Sequence, residues 1–267
     1  MKTTTTTRPH YSTYGHLAVE THPTRAALGH AAGHAAAAAI RDAIASQGRA
    51  RVIFGCAPSQ NEFLDSLIEA SHARAGSTAF DWKKVTAFHM DDYIGLKAAQ
   101  PQSFRYYLNA HLLSRVKIGA FHPIAADAPD IAKACADYTR LLSEKPIDLI
   151  CMGIGENGHI AFNDPPVADF EDPALIKQVE LDPACRRQQV NDGCFPTLAD
   201  VPRHALTLTV TVFRNARRLS IHVPGALKAK AIRDTLRAPI TPACPATILR
   251  LHPHATLYID TAAAKLI

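Results

Sequence analysis

No stretch of this 267-residue chain holds eighteen consecutive apolar residues, which excludes a membrane-spanning helix. The opening segment, MKTTTTTRPHYST, lacks the apolar stretch of a secretory signal peptide, so export by that route is not expected. The six cysteines, Cys56, Cys135, Cys151, Cys185, Cys194 and Cys244, include no C-x-x-C pair. Several of them lie in apolar runs, which reads as reduced thiols in a cytoplasmic protein, with neither a zinc knuckle nor a disulfide framework. A basic block and an aromatic ladder are missing too. The formal charge of +5 comes from scattered Lys and Arg, which suits support for an anionic small molecule better than a nucleic-acid surface. The densest basic group, Arg214, Arg217 and Arg218, reads as a solvated helix end. Neither an internal repeat nor a linker is visible.

What is present is an alternation of helical and extended patterns. Residues 1–20 read as a polar lead-in, followed by one domain over 21–267. Thr24 to Ser46, alanine-rich and free of proline, reads as a long helix stopped at Gly48. His30 and His34 stand four apart on it, but no third ligand accompanies them locally and no metal is assigned. Arg51 to Cys56 reads as a strand. Ser59-Gln60-Asn61-Glu62 then reads as a capping box opening an amphipathic helix with Phe63, Leu64, Leu67 and Ile68 on its apolar face. Val85 to His89 is the next strand and runs straight into Met90-Asp91-Asp92-Tyr93. Gln102 to Val116 and Asp130 to Ser143 read as helices whose apolar faces serve the core. Ala168 to Arg203 is long and polar, the pattern of a lid or binding loop. Ala205 to Val210 and Leu219 to Val223 read as strands, and Pro224-Gly225 opens a helix carrying Lys228 and Lys230. A short helix at Ala246 to Leu251 and a strand at Thr256 to Ile259 follow. The alternation predicts an α/β fold, a three-layer α/β/α sandwich on a mostly parallel, Rossmann-like sheet.

The chemistry concentrates in Ile147 to Pro166, IDLICMGIGENGHIAFNDPP. Ile147 to Met152 is β-branched-rich without alternation, as in a strand buried on both faces, and ligands of open α/β sheets sit beyond the carboxyl ends of such strands. Gly153, Gly155 and Gly158 spell the dinucleotide fingerprint G-x-G-x-x-G. That motif needs a helix opening at its third glycine, and Pro165 and Pro166 follow too soon for one. The glycines are therefore assigned to close approach of backbone to a small ligand, and no nicotinamide or flavin cofactor is expected.

Two adjacent carboxylates at a buried strand end are costly unless solvated, paired or used, and alternation along the chain points one into the cleft and the other away. Three strand ends then supply a helix start at Ser59 and Gln60, a carboxylate at Asp91, and His159 with Asp164 five residues on. Lys228, at the start of a helix beyond a strand end, adds a full positive charge to the field of the helix termini. This set suits proton transfer on a phosphorylated sugar: the helix termini and Lys228 hold phosphate, a carboxylate removes a proton next to a carbonyl, and the histidine exchanges protons with the ring oxygen. Such a base needs no metal and no cofactor.

HMDDYIGL followed by QSFRYYL, then GIGENGHIAFNDP, then ALTLTV with PGALKAKAI and LRLHPHATLYID, together resemble the glucosamine-6-phosphate deaminase (isomerase) family, which shares its fold with the 6-phosphogluconolactonases. The resemblance runs in order from about Arg51 to Asp260. It implies that Asp91 is the base moving a proton between sugar C2 and C1, that His159 assists ring opening with support from Asp164, and that Lys228 contacts phosphate. It also implies a small sugar phosphate as the partner, with no nucleic acid and no membrane, and leaves a homo-oligomer open.

The chain departs from the family's pattern in four places. Asn157 stands where the family usually carries an aspartate, and Asp164 where it usually carries a glutamate. The glycine-rich phosphate turn is replaced by Gly55-Cys56-Ala57-Pro58-Ser59-Gln60. The family's arginine in the lid-like stretch has no clean counterpart, Gln189 aligning there with Arg186 and Arg187 nearby. The leading expectation is thus an amino-sugar-phosphate deaminase and aldose–ketose isomerase using Asp91, His159 and Asp164 in catalysis, with Ser59, Gln60, Asn157 and Lys228 binding substrate. The alternatives are a sugar-phosphate-binding regulator that has lost turnover and a hydrolase of a sugar-lactone phosphate.

Overall fold

The computed structural model describes residues 8–72 and 78–267. In chain order its elements are β1 (His10–Tyr14), β2 (Leu17–His22), α1 (Arg25–Gln47), β3 (Ala50–Phe54), α2 (Asn61–Ser71), β4 (Val85–His89), β5 (Asp91–Tyr93), α3 (Phe104–Leu108), β6 (Ala120–His122), α4 (Ile131–Ser143), β7 (Leu149–Met152), β8 (Ile176–Glu180), α5 (Pro183–Asn191), β9 (His204–Leu208), α6 (Val210–Asn215), β10 (Leu219–Val223), α7 (Ala229–Arg237) and β11 (Ala255–Asp260). The main sheet has eight strands in the order β1-β2-β11-β10-β7-β3-β4-β6. Every pair in it is parallel except β1 with β2. A separate antiparallel sheet, β5-β9-β8, stands beside it.

The pleat divides the core in two, because successive side chains of a strand point to opposite faces. On β7, Ile150 and Met152 join a cluster containing Tyr138 and Leu142 of α4 and Ile232 and Leu236 of α7. Leu149 and Cys151 join the other cluster, with Leu28 and Ile40 of α1 and Phe63 and Leu67 of α2. Helices thus cover both faces of a sheet whose central strands β3, β7 and β10 are buried throughout. This is the three-layer α/β/α arrangement expected from the alternation of patterns. Thr24 caps α1, its side chain accepting from Ala27 N at 3.1 Å.

The strand order fixes where a ligand can sit. From β3 the chain proceeds outward to β4 and β6, then returns to the other side of β3 and builds β7, β10 and β11 in turn. The direction of winding reverses between β3 and β7. Loops leaving the carboxyl ends of these two strands diverge there and open a crevice.

Four expectations change. Residues 1–7 lie outside the described residues, but from His10 onward the polar lead-in is sheet: β1 pairs with β2, and β2 with β11. The expected helix over Gln102 to Val116 is shorter, α3 followed by a π-type turn at Asn109–Leu113. The expected lid, Ala168 to Arg203, contains β8 and α5. Its outward-facing alternation at Ile176–Glu180 is that of a short strand in the small sheet, too brief to stand out in a polar stretch. The capping box does not form either. Pro58–Gln60 is a 3-10 turn, α2 starts without a side-chain cap, and Glu62 instead pairs with Arg25 at 2.6 Å.

Candidate active site

A cavity occupies the crevice at the reversal point. Its wall is made by Gly55, Cys56, Ser59 and Gln60 after β3, Met90 and Asp91 after β4, and Gly153, Gly155 and His159 after β7. Phe104 of α3, Phe162 and Gln189 of α5 complete it. Asp91 and His159, far apart in sequence, therefore face one cleft.

The two adjacent carboxylates divide as alternation predicts. Asp92 is fully buried and turned away, accepting from Tyr93 N, Ser103 Oγ, Phe104 N and Arg105 Nε, the last at 2.8 Å. Removing one partner of a buried, hydrogen-bonded ion pair costs about 3–5 kcal/mol, so this carboxylate holds α3 against the site. Asp91 faces the cavity. Its own burial, and then the negative charge of Asp92, push its carboxyl well above the ordinary range, which makes the carboxylate a stronger base.

The loop after β7 holds an acid–base unit. His159 Nδ1 meets Asp164 Oδ1 at 2.9 Å. Asn157 donates through Nδ2 to the same oxygen at 2.9 Å and accepts from His159 N at 3.1 Å. Burial pushes the Asp164 carboxyl up, but the bond and charge of His159 and the Asn157 amide outweigh it, and the net direction is down. Asp164 stays ionised and fixes the ring. Gly155, besides lining the cavity, leaves room for the imidazole: a Cβ there would lie 2.2 Å from His159 Nε2, while Gly158, at φ 84°, would carry one 2.6 Å from Cys244 Sγ. Gly153 lines the cavity beside Ser59 and Gln60.

At the turn after β3, Gln60 is spent within the protein. Its Nε2 donates to Ser59 Oγ at 3.1 Å and to His222 O at 3.2 Å, while its Oε1 lies 2.8 Å from His222 Nδ1. His222 Nε2 in turn meets Ser220 Oγ at 2.7 Å, and its ring stacks on Phe63 with centroids 3.8 Å apart. Because Ser59 Oγ accepts from Gln60, the hydroxyl proton is left to point elsewhere, and the cavity is beside it. Gln60 thus positions a donor rather than offering one. His222, a buried histidine inside a strand, was not singled out by the sequence reading, and only its place in an otherwise apolar run could have marked it.

Lys228 ends a 3-10 turn, Ala226–Lys228, and serves as the N-cap of α7. It is 8% exposed; its backbone N donates to Gly225 O at 3.1 Å, and its side chain has no hydrogen bond or ion pair among the described residues. It lies outside the wall shared by Asp91 and His159. Burial pushes its ammonium down, with Asp192 and Glu156 opposing. Of the residues near the missing lid arginine, Gln189 reaches the cavity, whereas Arg186 donates to Leu198 O and Val201 O.

Elsewhere, the rings of His30 and His34 lie 4.3 Å apart, and no third ligating side chain joins them among the described residues. All six cysteines are free. No helix among the described residues is long and apolar enough to cross a membrane.

The chain resembles known proteins over most of its length. The family model of glucosamine-6-phosphate isomerases/6-phosphogluconolactonase matches residues 23–258. A glucosamine-6-phosphate deaminase of Listeria monocytogenes serotype 4a (strain HCC23) is 36% identical over 202 residues, covering 76% of this chain and 84% of that one. One from Lactobacillus delbrueckii subsp. bulgaricus (strain ATCC BAA-365 / Lb-18) is 32% identical over 191 residues, covering 72% and 80%. Among solved structures, a monomeric glucosamine-6-phosphate deaminase superposes with a TM-score of 0.84 at 26% identity, over 93% of this chain and 99% of that one. The 6-phosphogluconolactonase from Trypanosoma brucei shares the fold, with a TM-score of 0.73 at 14% identity over 96% and 99%.

Proposed function

The chain belongs to the family of glucosamine-6-phosphate isomerases and 6-phosphogluconolactonases, and from that premise we propose that it is an amino-sugar-phosphate deaminase and aldose–ketose isomerase, converting glucosamine 6-phosphate to a ketose phosphate and ammonia. The observation that carries the reading is that Asp91, a buried carboxylate of raised basicity, and His159, an imidazole fixed by Asp164, line one cavity at the reversal point of the sheet.

The steps follow from the positions. His159 passes a proton to the ring oxygen as the C1–O bond opens, and Asp164 balances the charge that comes and goes on the imidazole. Asp91 then takes the C2 proton of the open aldose and returns it at C1, so the double bond migrates and C2 becomes the electrophilic carbon. Water adds at C2, and the amine departs as ammonia. The phosphate is met by the Ser59 hydroxyl and by Lys228, whose ammonium lacks a protein partner among the described residues and gains one when an anion enters. This reading places the protein in the cytoplasm, with a sugar phosphate as its partner.

The test is a panel of sugar phosphates assayed for ammonia. Glucosamine 6-phosphate or its galacto isomer is expected to release ammonia with formation of a ketose phosphate, and Asp91→Asn is expected to abolish it. Binding without turnover would favour the regulator, and hydrolysis of a phosphogluconolactone the hydrolase.

A further inference from the structure

The acid–base unit has a third ligating neighbour that the reaction does not use. Cys185 of α5 is 1% exposed. Its sulfur, a ring nitrogen of His159 and a carboxylate oxygen of Asp164 all lie within 4.8 Å of one another, the one such cluster of three among the described residues. A second observation points the same way. Asp164 is 1% exposed, and while Oδ1 is shared by His159 and Asn157, Oδ2 is buried without a partner at hydrogen-bond geometry among the described residues, the Cys185 thiol and the Asp182 backbone N–H being the donors nearest the carboxylate. Buried acceptors are nearly always paired, and one left open invites an occupant. Asp164 also borders a second cavity of about 880 Å³, whose wall carries Glu180 and Asp182 beside Arg186 and Arg203. Arg186 is spent on carbonyls of Leu198 and Val201. Asp164 therefore borders a space distinct from the sugar cleft, lined by carboxylates as well as by arginines.

We propose that His159, Asp164 and Cys185 form an inhibitory site for a thiophilic divalent cation, of which Zn2+ is the best match. Imidazole nitrogen, carboxylate oxygen and thiolate sulfur are three ligand types that zinc takes, with water in the fourth position. Bonds of about 2.0–2.3 Å require the cluster to tighten by roughly an ångström, within reach of side-chain rotation. On binding, zinc accepts lone pairs from the imidazole and the carboxylate. The thiol S–H bond breaks as the Zn–S bond forms, its proton leaves to solvent, and nothing is oxidised or reduced. The metal then occupies the groups that exchange a proton with the sugar ring oxygen, so ring opening stops. Only this inhibitory consequence rests on the proposed reaction. Binding itself does not.

The experiment titrates the whole protein with Co2+ and with Zn2+. Native protein is expected to take up one equivalent of Co2+ with a thiolate-to-cobalt charge-transfer band, and Zn2+ is expected to displace the cobalt and inhibit ammonia release. Cys185→Ala is expected to lose the band and to weaken zinc inhibition at least about tenfold, with turnover in the absence of metal unchanged. Cys185→Ser, closer in size, serves the same purpose if the alanine variant does not fold. A charge-transfer band that survives in a folded Cys185 variant, or equal zinc inhibition of variant and native protein, would overturn the proposal. If the protein proves to have no deaminase activity, the Cys185-dependent cobalt band still decides the metal site on its own.

Discussion

Asn157 donates its side-chain amide to Asp164 Oδ1 at 2.9 Å, the oxygen that also holds His159. The amide that replaces the family's usual aspartate is thus a working member of the unit, supplying an N–H that a carboxylate could not. Asn157→Asp removes this donor and sets two carboxylates in contact, which must repel or share a proton. A hydrogen bond to a charged group is worth about 1.5–3 kcal/mol, so the variant is expected to lower kcat by about tenfold or more at neutral pH. Steady-state ammonia release checks this, and a large rise in kcat instead would mean that ring opening limits the native protein for want of an acceptor at 157.

Gly155 backs the imidazole so closely that any side chain there collides with it. Gly155→Ala is expected to push the ring of His159 out of line while leaving Ser59 and Lys228 where they are. Misplacement by about an ångström costs on the order of a hundredfold in rate, so kcat is expected to fall by about that factor with KM little changed. An unchanged kcat in a folded variant would show that the ring position is not critical.

The layers, the central strands and the convergence of Asp91 with His159 were legible in the sequence because each rests on local pattern. An unbroken apolar run such as Ile147 to Met152 marks a two-sided strand, and residues just beyond such strands share one end of the sheet. What was missed depends on distant partners. Leu17 to His22 reads as polar until β11 is there to pair with it. Glu62 fits a capping box by spacing, but Arg25 in α1 claims it. Gln60 reads as a ligand contact, whereas His222, far along the chain, takes up its amide. Gly158 reads as room for a ligand, and the room is filled by Cys244, whereas Gly155 lines the cavity and also makes room for His159.

Lys228 gives the substrate affinity a pH dependence of known sign. Burial pushes its pKa below the ordinary lysine value of 10.5, so as pH rises the side chain loses its charge earlier than a solvated lysine would. The ammonium proposed to meet the phosphate therefore loses its charge as pH rises, ahead of a solvated lysine. KM is expected to rise with pH on the alkaline side, before the pH at which a solvated lysine titrates. In Lys228→Ala, KM is expected to be raised at least about tenfold at neutral pH, the loss of one charge-assisted contact, and its alkaline rise to disappear. Measuring KM across the alkaline range in both proteins decides it.

Two buried imidazoles add to the acid sensitivity of the fold. His89 Nε2 accepts from Ile124 N at 2.7 Å, and burial pushes its pKa down to about 4. Burial likewise pushes His222 down to about 3. In the unfolded chain both rings titrate near the ordinary value of 6.5, so between these limits the unfolded state binds more protons than the folded one. The stability held by keeping these rings neutral is complete above about pH 6.5 and lost as pH falls toward 4, at about 1.4 kcal/mol per pH unit for each ring. At pH 4.5 each therefore costs roughly 3 kcal/mol. His89→Gln keeps an acceptor for Ile124 N without a titrating ring. Carboxylates such as Asp164 also weaken the fold in acid, and their contribution is common to both proteins. The variant is therefore expected to lose less stability than the native protein between pH 7 and 4.5, by roughly 3 kcal/mol in urea unfolding; equal losses would place the acid sensitivity in the carboxylates alone.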